Sequence, residues 1–319
     1  MIQASGLART FRSRRGTVEA VKGVDISVAE GEIVGFLGPN GAGKTTTLRM
    51  LTTLLDPTAG TATVAGCDLR SDPVGVRRRI GYVAQSGATL PEARAGEEIV
   101  DHALLYGLSR EEATRRGHDL FEQLDLEGLW DRQCRSMSGG QRRRLDIAMG
   151  LVHQPLLVFL DEPTTGLDPQ SRANLWEHIR GLRDRLGTTV FLTTHYLDEA
   201  DALSDRLMVI DHGTIVATGT PAELKRQVSG DAVSVVLADP ARIEDAVRVA
   251  KELSGADGTV GDGDTVRLRV EDGGAALPVL LRRLDADSIA LSSVEVRKPS
   301  LDDVFLSLTG RSLRDEPAA

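Results

Sequence analysis

The chain has 319 residues, 41% hydrophobic and 27% charged, and a formal charge of 38 − 47 = −9. That composition fits a soluble globular protein of about two domains and excludes a disordered tail. No apolar run approaches the ~20 residues of a membrane-spanning helix, the acidic balance argues against a nucleic-acid partner or a polybasic anchor, and Cys67 and Cys134 form neither a disulfide framework nor a metal-ligand spacing.

In chain order, the opening MIQASGLARTF lacks the apolar stretch of a secretory leader, so a cytoplasmic chain is expected. Residues 2–11 and 17–37 read as strands joined by a turn at Arg14-Arg15-Gly16, the second ending in the apolar run Glu32–Leu37. After Lys44, TTTLRMLTTLL reads as a helix, ended by the turn Asp56-Pro57-Thr58-Ala59-Gly60. Helical spacing around Leu104, Leu105, Leu120 and Leu124 predicts a helix over 97–127. Strands at 156–160 and 188–194 flank a helix from about 170 to 186. Strands alternating with helices predict an α/β domain with a mainly parallel sheet. Composition shifts near Ser229-Gly230-Asp231. Beyond it the pattern predicts strand 232–238, helix 240–254, strand 264–270, helix 275–285, strand 289–297 and helix 301–308, a small α+β module. The expected borders are 1–228, 229–310 and a polar, frayed tail 311–319.

Three segments carry chemistry. Gly38-Pro39-Asn40-Gly41-Ala42-Gly43-Lys44-Thr45 fits G-x-x-x-x-G-K-[ST] between an apolar strand and a helix. Glycines let such a loop curl so that its N–H groups point inward, and the helix N-terminus adds positive potential. Lys44 supplies a point charge to the phosphates, and the Thr45 hydroxyl is a Mg²⁺ ligand. Next, the buried strand Leu156–Leu160 runs into Asp161-Glu162. That places two carboxylates at the sheet edge where open α/β sheets bind ligands. Asp161 is the expected second Mg²⁺ anchor and Glu162 the group that polarises an attacking water. Alone, the pair also reads as an acidic loop cap. Finally, Ser138-Gly139-Gly140-Gln141 precedes the helix-like RRRLDIAMGLV. Ser138 and Gln141 form a capping box. Two glycines in a first turn cost up to ~1 kcal/mol each against alanine, and bare N–H groups there suit a γ-phosphate.

Together these segments resemble the nucleotide-binding domain of ATP-binding cassette (ABC) transporters, over roughly residues 2–225. The resemblance implies a P-loop NTPase fold: a RecA-like core, an antiparallel β subdomain and an α-helical subdomain, followed here by the small α+β domain. It implies an ATPase that uses ATP and Mg²⁺. ATP binding would fall to Gly38, Pro39, Asn40, Gly41, Ala42, Gly43, Lys44, Thr45 and Thr46. Ser138, Gly139, Gly140 and Gln141 match the family signature, which reads the ATP of a second subunit; Met137 stands where the family usually has leucine. Gln85 in Tyr82-Val83-Ala84-Gln85 matches the glutamine loop, a catalytic and Mg²⁺-reaching position with Thr45 and Asp161. Asp168 in Gly166-Leu167-Asp168 matches the loop that crosses the dimer interface. His195 in Leu192-Thr193-Thr194-His195 matches the switch histidine at the γ-phosphate. Phe11 matches the aromatic that stacks on adenine, although the family usually has tyrosine there and a core or hairpin role is the other reading.

With one phosphate loop and one signature, the resemblance implies a homodimer. The lack of a spanning helix implies a separate integral membrane permease, docked on Ser86–Leu105, which holds the ATPase at the cytoplasmic face of the membrane. The run His195-Tyr196-Leu197-Asp198-Glu199-Ala200 and the terminal Pro299–Gly310 resemble daunorubicin/doxorubicin-resistance ATPases. That implies export of a hydrophobic drug or antibiotic. Import, or lipid or polysaccharide translocation, is the alternative.

Overall fold

The computed structural model describes residues 1–13, 16–227, 230–253 and 257–310. Arg14 and Arg15 of the expected turn, the expected border at 228–229 and the tail 311–319 lie outside them. The chain forms two compact units, Met1–Pro221 and a second starting at Ala222.

The first unit runs β1 (Ile2–Ser13), β2 (Gly16–Val28), β3 (Ile33–Leu37), α1 (Lys44–Leu51), β4 (Ala59–Val64), β5 (Cys67–Asp68), α2 (Pro73–Arg79) and β6 (Ile80–Val83). It continues through α3 (Ala95–Leu105), α4 (Arg110–Gln123), α5 (Gly139–Leu151), β7 (Leu157–Asp161), α6 (Pro169–Leu186), β8 (Thr189–Thr194), α7 (Leu197–Leu203), β9 (Arg206–Asp211) and β10 (Thr214–Gly219). The central sheet has the order β10-β9-β3-β8-β7-β6 and is parallel except for β10. A second, antiparallel sheet is ordered β2-β1-β4-β5.

Every residue of β3, β7 and β8 is buried, as expected of parallel strands covered on both faces. Alternate residues point to opposite faces, so each strand feeds two cores. Val34, Phe36, Phe159 and Phe191 join the β1–β2 hairpin and α1 on one side. Val158, Leu160, Val190 and Leu192 join α3 to α6 on the other. Phe36, Phe191 and Phe159 form a ladder with ring centroids 5.5 and 5.7 Å apart. Because the strands are parallel and in register, Leu37, Asp161 and Thr194 end together, at the edge where the motifs lie.

Three expectations are corrected in detail. The long segment 17–37 is two strands, broken at Gly31, whose φ is +70°. The helix expected over 97–127 is α3 and α4. Gly107 (φ +83°) interrupts it, and Ser109 caps α4 by accepting from the Glu112 amide. Leu104 and Leu105, read as helix-core positions, are exposed.

α8 (Pro221–Gln227) straddles the unit border. The second unit then has β11 (Asp231–Leu237), α9 (Ile243–Lys251), β12 (Asp257–Asp262), β13 (Thr265–Val270), α10 (Gly273–Ala286), β14 (Leu291–Arg297) and α11 (Leu301–Thr309). Its antiparallel sheet is ordered β12-β13-β11-β14. Val233, Val235 and Leu237 alternate inward to meet Val249 of α9 and Leu280 and Leu284 of α10. β12 was not expected: its sequence, DGTVGD, is poor in strand formers, and pairing with β13 supplies the order its propensity lacks. In α11, Leu301, Val304 and Phe305 are buried, whereas Leu308 is exposed. Among the described residues no helix is long and apolar enough to cross a membrane.

Candidate active site

The loop Gly38–Gly43 leaves β3 and turns into α1. Gly38 is held so close to β9 that a Cβ there would lie 2.2 Å from the Ile210 carbonyl oxygen. Gly43 caps α1 at φ +107° without a side-chain hydrogen bond of its own. Its neighbour Lys44 is buried, and its Nζ donates to the carbonyls of Gly38 (2.7 Å) and Pro39 (3.0 Å). The same ammonium stands 3.4 Å from Glu162 Oε1.

Asp161, the last residue of β7, is 2% exposed. Its Oδ1 accepts hydrogen bonds from the hydroxyls of Thr193 (2.7 Å) and Thr45 (3.2 Å). Glu162 follows with φ +44°, a left-handed conformation that costs a non-glycine residue energy and often marks functional positions. Its amide donates to Thr193 Oγ1 at 3.0 Å. Its Oε2 accepts from Gln85 Nε2 (2.9 Å) and Thr165 Oγ1 (3.2 Å) and lies 3.3 Å from His195 Nδ1. Burial opposes ionisation of Glu162. Contact with His195 and the charge of Lys44 outweigh it and hold the carboxyl down at about 2. In this arrangement the acid is a fixed anion, locked among the groups it would act with.

The structure therefore brings Lys44, Thr45, Gln85, Asp161, Glu162 and His195 into one cluster. A cleft of about 200 Å³ opens onto it, lined by Pro39, Asn40, Gly41 and Gly43 to Thr46 with Ala20, Gln85 and Glu162. A larger cleft, about 510 Å³, holds none of the expected residues. Its lining Glu30, Leu156 and Thr188 mark the opposite ends of the strands, away from the chemistry.

Ser138 to Gln141 lie elsewhere on the unit. Ser138 caps α5, and the box is reciprocal: the Gln141 amide donates to Ser138 Oγ at 3.2 Å, and the Ser138 amide donates to Gln141 Oε1 at 2.9 Å. A cleft of about 210 Å³ there involves Ser138, Gly140, Gln141, Arg144, Ser171 and Asn174. It shares no residue with the phosphate-loop cleft. Asp168 stands beside it as the N-cap of α6, accepting from the Ser171 amide at 2.9 Å and hydroxyl at 2.6 Å. Phe11 does not line the phosphate-loop cleft. It pairs with Val18 near the hairpin end, 39% exposed, under the Arg9 guanidinium 4.8 Å from its ring centre.

Two residues of this site escape a reading of the sequence. Thr193 carries the hydroxyl that fixes both acids, yet nothing in a Thr-Thr pair marks it. Arg143 is 7% exposed although it sits in the run Arg142-Arg143-Arg144. With arginines on both sides of it, nothing in the local sequence separates Arg143 from its neighbours.

A glycine loop before a helix, an acid pair at a parallel-strand end and a capped glycine pair define a phosphate-loop ATPase. The family pattern described as "ABC transporter" matches residues 21–165, and that of the "ATP-binding protein DrrA1-3-like, C-terminal domain" matches 219–309. The daunorubicin resistance ATP-binding protein DrrA2 of Streptomyces coeruleorubidus is 42% identical over 98% of this chain and 97% of its own. The doxorubicin resistance ATP-binding protein DrrA of Mycobacterium tuberculosis is also 42% identical, over 97% of this chain and 93% of its own. Among solved structures, the dimeric post-hydrolysis state of the ATP-binding cassette MJ0796 bound to ADP and Pi is 26% identical with a TM-score of 0.63. It covers 69% of this chain and 98% of that one. The chain belongs to the ATP-binding proteins of ABC transporters, and it is an ATPase.

Proposed function

We propose that this ATPase works as a homodimer and powers export of a hydrophobic drug or antibiotic through a separate integral membrane permease, at the cytoplasmic face of the membrane. The observation that carries the reading is likeness over both units, the second included, to resistance ATP-binding proteins. The two separate clefts support the dimer: each chain offers a phosphate loop and a signature element that do not meet within it. Leu90 and Leu105 leave apolar side chains exposed along Ser86–Leu105, the segment on which the permease would dock.

Lys44 exchanges the Gly38 and Pro39 carbonyls for phosphate oxygens, which removes its charge from Glu162. Glu162 then orients and polarises the attacking water, while His195 holds the γ-phosphate side. Asp168 lies at the partner interface, and Phe11 offers an exposed ring to adenine. The hydroxyl of Thr45, the carboxylate of Asp161 and the amide oxygen of Gln85 are hard oxygen donors that fit Mg²⁺. That ion would neutralise phosphate charge.

The chain and its permease, reconstituted in vesicles, should hydrolyse ATP faster when a hydrophobic antibiotic is added and should move it outward. Lys44→Ala should abolish both. Uptake that needs an added soluble binding protein, or movement of lipid or polysaccharide with no response to drugs, would overturn the export reading.

A further inference from the structure

One helix face grips two segments of the site at once. Arg143 of α5 donates from Nε to the Pro163 carbonyl (2.8 Å), from Nη2 to that of Asp161 (3.0 Å) and from Nη1 to that of Ala84 (2.5 Å). Two of these carbonyls flank Glu162, and the third immediately precedes Gln85. Three residues further along α5, Asp146 is 8% exposed, and its Oδ1 accepts from the Ala88 amide at 3.0 Å. Gly87 packs against the same carboxylate so closely that a Cβ would stand 2.9 Å from Oδ2. Gln85 is thus held on both sides, by Arg143 before it and Asp146 after it.

A guanidinium is buried this deeply only when its donors are used and its charge is balanced. Here three backbone carbonyls take the donors. Asp146, Asp161 and Glu199 supply the balancing charge. The helix that carries these grips begins at Gly139, just after Ser138, so its first turn is the signature element itself. The thirteen residues of α5 form one hydrogen-bonded helix, which connects that first turn to Ala84, Ala88, Asp161 and Pro163.

We propose that Arg143 and Asp146 are positioning residues that make α5 a strut between the two clefts. Nucleotide of the second subunit, settling on Ser138–Gln141, sets the place of Gln85 and Glu162 in this chain's own site. The proposal rests on the dimer and the residue roles proposed above.

A double-mutant cycle on the full chain tests it. Asp146→Ala should lower kcat about 10-fold or more, because sub-ångström errors in placing catalytic groups are costly. Asp146→Asn, which keeps an acceptor for the Ala88 amide but not the charge beside Arg143, should restore part of it. In a Gln85→Ala background the Asp146→Ala effect should shrink to less than about 2-fold. Arg143→Lys, which keeps the charge but cannot serve three carbonyls, should lower kcat while ADP affinity stays within about 2-fold. It should also bring a Hill coefficient for ATP that exceeds one in the parent down to one. Equal Asp146→Ala effects in both backgrounds, an unchanged Hill coefficient, or parallel loss of kcat and ADP binding would overturn the strut. If Gln85→Ala itself leaves kcat unchanged, the assignment of the site fails, and the strut with it.

Discussion

Thr193→Val removes one hydroxyl and almost no volume, from a side chain that is fully buried. Two bonds go with it. The first is the 2.7 Å donation to Asp161 Oδ1, a charge-assisted bond worth about 1.5–3 kcal/mol. The second is the acceptor for the Glu162 amide, worth about 1 kcal/mol or less, since that amide keeps the Thr193 carbonyl at 3.2 Å. The expected loss is about 2–4 kcal/mol in the first unit. Urea unfolding measures it, and the transition that ADP shifts upward identifies that unit. The hydroxyl is one of two partners of the Glu162 amide and also holds Asp161, so kcat should fall about 10-fold or more while ADP affinity is retained. Thr193→Ser keeps both bonds and loses one buried methyl, about 1 kcal/mol, so its kcat should stay near that of the parent. If the valine and serine variants were equal in kcat, the hydroxyl would have no part in holding the acids.

Other variants probe the same cluster. Glu162→Gln should bind ATP, lose turnover and accumulate as a closed dimer on gel filtration; no ATP-dependent dimer at any concentration would contradict the shared site. The folded Glu162 carboxyl titrates at about 2, below its unfolded value of 4.5. Its contribution to stability is therefore present above about 4.5 and lost as pH falls toward 2. Acid unfolding of Glu162→Gln should lack that component, and identical acid curves would refute the buried contact with Lys44 and His195. Gly38→Ala places a Cβ 2.2 Å from the backbone oxygen of Ile210, which cannot yield without moving β9. ADP affinity should drop about 10-fold, with about 1–3 kcal/mol of stability lost, as calorimetric titration and urea unfolding would show. His195→Ala should slow turnover with little change in ATP binding, and equal turnover would remove its role.

The readable parts of this chain are those where chemistry fixes residue type at fixed spacing. Gly38 to Thr45 is legible because a backbone pressed against Ile210 and turning through positive φ accepts little but glycine. Asp161-Glu162 is legible because a wholly apolar strand ends in charge. Other features depend on what lies far away in sequence. β12 is ordered by its partner strand, so its own residues do not announce it. The break at Gly107 carried a local signal, but helical spacing continues on both sides and masks it. Of three consecutive arginines, only packing against the carbonyls of Ala84, Asp161 and Pro163 selects Arg143. At Phe11 the residue type alone does not choose between a ring for adenine and a hairpin contact, and the fold places it near the hairpin end, opposite Val18 and partly exposed.

The separation of the two clefts on one chain has a genetic consequence. In the proposed pair, a copy with a ruined phosphate loop still lends an intact Ser138–Gln141 to its neighbour, and a copy with a ruined signature still lends a working loop. Two such alleles, each silent alone, would rebuild one complete site when expressed together. A single defective allele beside a normal one would likewise leave one complete site in every mixed pair, and only pairs of two defective copies would lose both.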